Sequence, residues 1–177
     1  MMNSQITPYG PATRAFAASG DILCVIRGGG PLAQAARWGQ ALRPELRPWA
    51  LVNHVCWGVG DDRLVEATAS GIHYTPVAAY DAADVRVIHD PEITDTQRHE
   101  ASEYAREQVG DRYNFLDIPP LAFFLVTGFR SEIAMGWAQT CSELVANCLW
   151  HCEISLGKRP ATVLPADIAK HFALRIA

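Results

Sequence analysis

With 177 residues the chain has room for one domain with a real apolar core and needs no covalent staples to hold it. Hydrophobic residues at 49% and charged residues at 19% exclude a disordered chain. The net charge is −4 and no basic stretch interleaved with aromatics occurs, which argues against a nucleic-acid partner.

The five cysteines (Cys24, Cys56, Cys141, Cys148, Cys152) are odd in number and irregularly spaced, unlike a secreted disulfide framework. The opening Met-Met-Asn-Ser-Gln-Ile lacks a basic start and an apolar block, so no signal peptide is expected. Cytoplasm is the default compartment, with release that needs no signal left open. The longest apolar run, Leu116 to Phe129, is broken by Asp117, Pro119, Pro120 and Gly128, and no transmembrane segment is expected.

In chain order, residues 1–19 read as a loose lead-in and 20–177 as a single domain. Asp21 to Ile26 reads as a buried strand ending at three glycines, and Pro31 opens a helix to Leu42. Strands over His54–Gly60, Arg63–Thr68 and Gly71–Val77 are joined by turns short enough for an antiparallel meander. A further strand, Val85–His89, turns Val85 and Val87 inward and Arg86 and Ile88 the other way. Thr94-x-x-Gln97 has capping-box form and starts a helix to about Val109. Residues 112–135 read as two helical pieces split by Pro119-Pro120. A helix from Cys141 to about Glu153 follows, then a tail in which Pro165 starts a final helix. The class is α+β, a small antiparallel sheet with helices on one side.

Thr140-x-x-Glu143 repeats the capping-box form and places Cys141 in the first turn of its helix. Unpaired backbone N–H groups and the positive end of the helix dipole favour a thiolate there. The same N–H groups can hold an oxyanion. Cys141, Val145, Cys148 and Cys152 also share one helical face, as inert core cysteines would. Position alone leaves both readings open for Cys141, whereas Cys148 and Cys152 read as core.

A cysteine nucleophile needs a base, and the base needs an orienting group. His54 lies at the mouth of an apolar strand and is the best-placed histidine; His73 reads as solvent-facing, and the other four lie in polar or surface contexts. Glu66 is the polar residue of an apolar strand, placed either beside His54 across a hairpin or outward toward water. Cys56 shares a strand face with His54, but spacing of roughly 6.5–7 Å along a strand ranks it below Cys141. Arg27-Gly28-Gly29-Gly30 lacks phosphate-loop spacing, and Cys148-x-x-His151-Cys152 lacks a partner pair for zinc. No metal and no cofactor are expected.

The pieces Gly20-Asp21-Ile22-Leu23, Asn53-His54-Val55, Val65-Glu66-Ala67, Gly110 to Phe115 and Thr140-Cys141-Ser142-Glu143-Leu144-Val145 span nearly the whole chain. Their order resembles the circularly permuted papain-like hydrolases of the YaeF/YiiX type, relatives of the NlpC peptidoglycan peptidases and of lecithin:retinol acyltransferase. The resemblance implies a permuted papain-like fold with Cys141 as nucleophile at a helix N-terminus, His54 as base and Glu66 as third polar residue. It also implies substrate-binding positions at Tyr113 and Ser142. The substrate so implied is a peptide, a peptidoglycan fragment or a lipid-like molecule. Asn53 stands where serine is usual in that group, and Thr140 where an aromatic is usual. Esterase, acyltransferase and non-catalytic binding roles are the alternatives, and the apolar 116–129 segment is the support for the lipid ones. Oligomeric state is not legible.

Overall fold

β2 (Ile22–Ile26) is apolar at every position because both of its faces are covered. Ile22, Cys24 and Ile26 pack into the larger core, and Leu23 and Val25 into a smaller one on the opposite face. The computed structural model describes residues 5–9, 18–26, 31–80, 84–113 and 138–173. Around β2 the other strands are β1 (Gln5–Tyr9), β3 (Val52–Gly60), β4 (Arg63–Thr68), β5 (Gly71–Pro76) and β6 (Asp84–His89). They form one antiparallel sheet in the order β1-β6-β2-β3-β4-β5. Gly60 pairs with Arg63, and Asp61 and Asp62 between them both have φ of 53°, the paired positive values that a two-residue hairpin turn requires.

The helices are α1 (Pro31–Ala41), α2 (Asp95–Glu107), α3 (Cys141–His151) and α4 (Pro165–His171). Among the described residues none is long and apolar enough to cross a membrane. The larger core lies between the sheet and Ala101 and Ala105 of α2, Leu144, Val145, Cys148 and Leu149 of α3, and Ile168 of α4. Each wholly buried leucine there contributes about 2 kcal/mol through removal of apolar surface from water. Trp57 is fully buried in β3, and its indole N–H donates to Ser102 Oγ of α2 at 3.1 Å, so the polar end of the ring is satisfied. On the opposite face Leu23, Val25, Cys56, Leu64, Val85 and Val87 are covered by Val77 and Tyr80 of a single 3₁₀ turn, Val77–Tyr80.

The α+β class, the antiparallel meander, both capping boxes and the final helix match the sequence expectations. Three points differ. Residues 5–9 of the lead-in supply edge strand β1, paired with β6, and Pro8 is tolerated because it lies on an edge. β6 buries Val85, Val87 and Ile88 alike, since both faces of the sheet are covered there. Of the expected helical pieces in 112–135, Arg112–Tyr113 is strand β7, parallel to β8 (Ala138–Gln139); 114–135 lie outside the described residues.

A polar pin holds the start of β2. Asp21 accepts from the Ala18 N–H at 2.9 Å and pairs with His89 Nδ1 at 2.7 Å, and Arg98 lies 3.7 Å away. Gly20 has φ of +86° and donates its N–H to Gly58 O; a Cβ there would lie 2.6 Å from Arg98 Cγ. Glycine is required at this position by both conformation and space.

Candidate active site

Two irregularities of β3 position the site. Val25 faces His54 and Ile26 faces Val52, so Asn53 is the extra residue of a bulge. The bulge puts Val52 and Val55 both in the larger core, while His54 faces the side of Cys56 and Leu64. Secondly, the β3–β4 pairs run only from Gly60↔Arg63 to Trp57↔Val65, whereas β4 stays with β5 as far as Thr68↔Gly71. The two strands therefore part company beyond Trp57, next to His54. α3 packs on β3 and β4.

Glu66 sits in that hairpin, 3% exposed, and its carboxylate is fully engaged. His54 Nε2 lies 2.6 Å from Oε2, Tyr80 OH donates to Oε2 at 2.5 Å, and Thr75 Oγ1 donates to Oε1. Burial opposes its ionisation, but the His54 hydrogen bond and charge, with those of Thr75 and Tyr80, hold the carboxyl at about 2.

Cys141 is the first residue of α3. Thr140 is the N-cap; its side chain accepts from the Glu143 N–H, and the Glu143 side chain accepts from the Thr140 N–H. His54 is the largest influence that favours the Cys141 thiolate, followed by the backbone N–H groups of Val55 and Ser142. With Nε2 turned to Glu66, the ring nitrogen left for Cys141 is Nδ1. Burial alone would raise the thiol pKa; the His54 interactions and the two amides outweigh it and bring Cys141 below the ordinary thiol value. His54 is driven well above the usual imidazole value: burial works against the cation, and the two flanking thiols, Cys56 and Cys141, overcome it. The other cysteines go the opposite way. Burial raises Cys24, Cys56, Cys148 and Cys152, the last to about 11.

Of the residues singled out in the sequence, His54 and Glu66 are in contact, and Cys141 lies within the electrostatic reach of His54. Ser142 does not present its hydroxyl to substrate: it is buried and donates to Val163 O at 2.6 Å, tying the start of α3 to the chain ahead of α4. Tyr113 has its backbone in β7 beside Gln139, two residues before Cys141. The spacing argument against Cys56 is also corrected. Its sulfur, a His54 ring nitrogen and a Glu66 oxygen all lie within 4.8 Å of one another, and its thiol donates to Glu66 Oε2 at 3.6 Å. One step beyond Trp57↔Val65, Cys56 stands across from Glu66.

Sequence reasoning missed Tyr80, Thr75 and the proximity of His73, whose Nε2 is 3.7 Å from Glu66 Oε1 while its side chain, as expected, faces solvent in part. Thr75 and His73 were readable from the register of the β4–β5 hairpin, in which Glu66 faces His73. Tyr80 lies beyond the strand and carries no such signal. Gln139 was missed too. Its side chain bonds Tyr104 OH and Gln108 Oε1 of the α2 region and accepts from Asn147 Nδ2 of α3, which fixes the approach to Thr140. No family model matches this sequence, and no curated protein matches it either.

Proposed function

We propose that the protein is a thiol hydrolase that cleaves an amide bond, of the kind found in cell-wall peptides, through a thioester acyl-enzyme. One observation supports this reading: His54 Nε2 lies 2.6 Å from the buried Glu66 carboxylate, and the charge of that histidine favours the thiolate of Cys141, the first residue of a helix. Cys141, as thiolate, attacks the amide carbonyl carbon. A sulfur–carbon bond forms, and the carbonyl electron pair moves to oxygen, facing the N–H groups of the first turn of α3. Collapse breaks the carbon–nitrogen bond while His54 gives its proton to the leaving amine. Water then loses a proton to His54 and attacks the thioester, releasing the acid and the Cys141 thiolate. Glu66 fixes the ring and stabilises its charged form throughout. Cys56 lies on the Glu66 side of the ring with a raised pKa and no helix terminus, so it is the poorer nucleophile.

The experiment is turnover of muropeptides, with phospholipid vesicles as a second arm, by the native protein and by Cys141→Ala. Peptide cleavage with a trapped acyl adduct on Cys141, lost by on the order of 10³-fold or more in the variant, is the expected result. Undiminished cleavage by Cys141→Ala would overturn the nucleophile. Turnover of phospholipid alone would overturn the amide substrate.

A further inference from the structure

The second cysteine beside His54, Cys56, carries a second chemistry. A His54 ring nitrogen, Cys56 Sγ and a Glu66 carboxylate oxygen come from two adjacent strands and lie within 4.8 Å of one another. They are one imidazole, one thiol and one carboxylate, and Cys148, His151 and Cys152 form no comparable group among the described residues. A tetrahedral zinc ion with bonds of about 2.0 Å to nitrogen or oxygen and about 2.3 Å to sulfur keeps its ligand atoms about 3.3–3.8 Å apart. Cys56 Sγ and Glu66 Oε2 already stand 3.6 Å apart. His54 Nε2 and Glu66 Oε2, at 2.6 Å, need to open by under about 1 Å, the change expected when a cation replaces the proton between them. Tyr80 and Thr75 donate to Glu66 from outside the trio, the outer support that ligating carboxylates ordinarily have. The His54 side chain is 20% exposed and gives an ion its way in.

We propose that His54, Cys56 and Glu66 form a site for a thiophilic divalent cation, Zn²⁺ in particular, with an open fourth position, and that its occupation turns the hydrolase off. The binding part stands on the trio alone; the switching part rests on the Cys141–His54–Glu66 reading above. On binding, metal–nitrogen, metal–sulfur and metal–oxygen bonds form, and the Cys56 thiol proton and the proton between His54 and Glu66 leave to solvent. Nε2 then has no lone pair to spare, so in the neutral metal-bound ring Nδ1 carries the hydrogen. A ring in that state cannot take a proton on the side of Cys141, and Glu66 is drawn to the ion.

The test adds Co²⁺, an optical stand-in for zinc, to the reduced full-length protein, and follows the thiolate-to-cobalt charge-transfer absorption. One equivalent of Co²⁺ produces the band, Cys56→Ser removes it, and Cys152→Ser keeps it. Tyr80→Phe, which keeps all three ligands, weakens Co²⁺ binding by about 10-fold or more. This variant decides the matter if Cys56→Ser does not fold. Absence of the band, or a band and affinity unchanged in both Cys56→Ser and Tyr80→Phe, overturns the site. The switch is read separately, as muropeptide turnover with one equivalent of Zn²⁺ against the same protein in EDTA. Full turnover in the presence of bound Zn²⁺ overturns the switch alone. No turnover in EDTA overturns the hydrolase reading and leaves the cobalt result standing.

Discussion

His54 and Glu66 meet across β3 and β4, Nε2 to Oε2 at 2.6 Å, in a hairpin whose strands separate at that point. The carboxylate is 3% exposed and takes donors on both oxygens, so the ring it holds is fixed in tautomer and direction. Glu66→Gln keeps the shape and removes the charge. The expected outcome is a loss of about 10²-fold or more in kcat for the muropeptide reaction, with KM little changed, because the lost interaction belongs to the charged ring of the transition state. Stability falls by about 1–3 kcal/mol in urea denaturation, since the half-buried hydroxyls of Tyr80 and Thr75 lose a charged acceptor. A KM rise with kcat unchanged would show that Glu66 serves only ground-state binding.

Cys141 is the cysteine whose thiol pKa is lowered, while burial raises Cys24, Cys56, Cys148 and Cys152. Iodoacetamide labelling of the folded protein in EDTA, mapped by mass spectrometry, is expected to modify Cys141 first. Its rate holds up as pH falls below the ordinary thiol pKa of about 8.5, where a free thiol slows tenfold per unit. His54→Ala removes the largest stabilising influence on the thiolate, and the labelling profile moves to higher pH. Labelling of Cys148 at the same rate as Cys141 would sink this reading.

The fold was legible where one physical signal dominated. Apolar strands between short turns gave the meander, and two capping boxes gave the starts of α2 and α3 to the residue. The site was half legible. His54 and Glu66 were each ambiguous alone, and only the hairpin register joins them. The bulge at Asn53 was not readable: nothing in Leu51-Val52-Asn53-His54 says that one residue is extra until β2 is laid beside it. Cys56 was set too far from His54 because strand rise fixes Cα spacing, whereas its sulfur and a His54 ring nitrogen both lie near the Glu66 carboxylate. The bond from the Ser142 hydroxyl to Val163 O was not readable either, because its partner lies 21 residues away.

Acid should act on this site through Glu66. Its folded pKa, about 2, lies below the unfolded carboxyl value, so its stabilising contribution is fully present above about pH 4.5. The contribution is lost as pH falls from there through about 2. Tyr80→Phe removes one donor to the carboxylate and raises the Glu66 pKa, so the acid limb of the stability profile moves to higher pH. Urea denaturation from pH 2.5 to 7 checks it: Tyr80→Phe and native curves converge at the acid end and separate toward neutrality. A constant gap across the range would mean that the hydroxyl acts through packing alone.

The capping box ahead of Cys141 has a twin, which makes its effect on chemistry separable from its effect on stability. Thr140 caps α3 and Thr94 caps α2 with the same pair of bonds, to Glu143 and to Gln97. Thr140→Ala and Thr94→Ala are therefore each expected to cost about 1 kcal/mol in urea denaturation. Only Thr140→Ala should slow Cys141. Loss of its cap lets the first turn of α3 drift, and the Cys141 sulfur leaves the Val55 N–H and the His54 ring. The expected result is slower iodoacetamide labelling at pH 6 for Thr140→Ala, with Thr94→Ala at the native rate. Equal slowing in both variants would mean that global opening, rather than the placement of the helix terminus, sets the reactivity of Cys141.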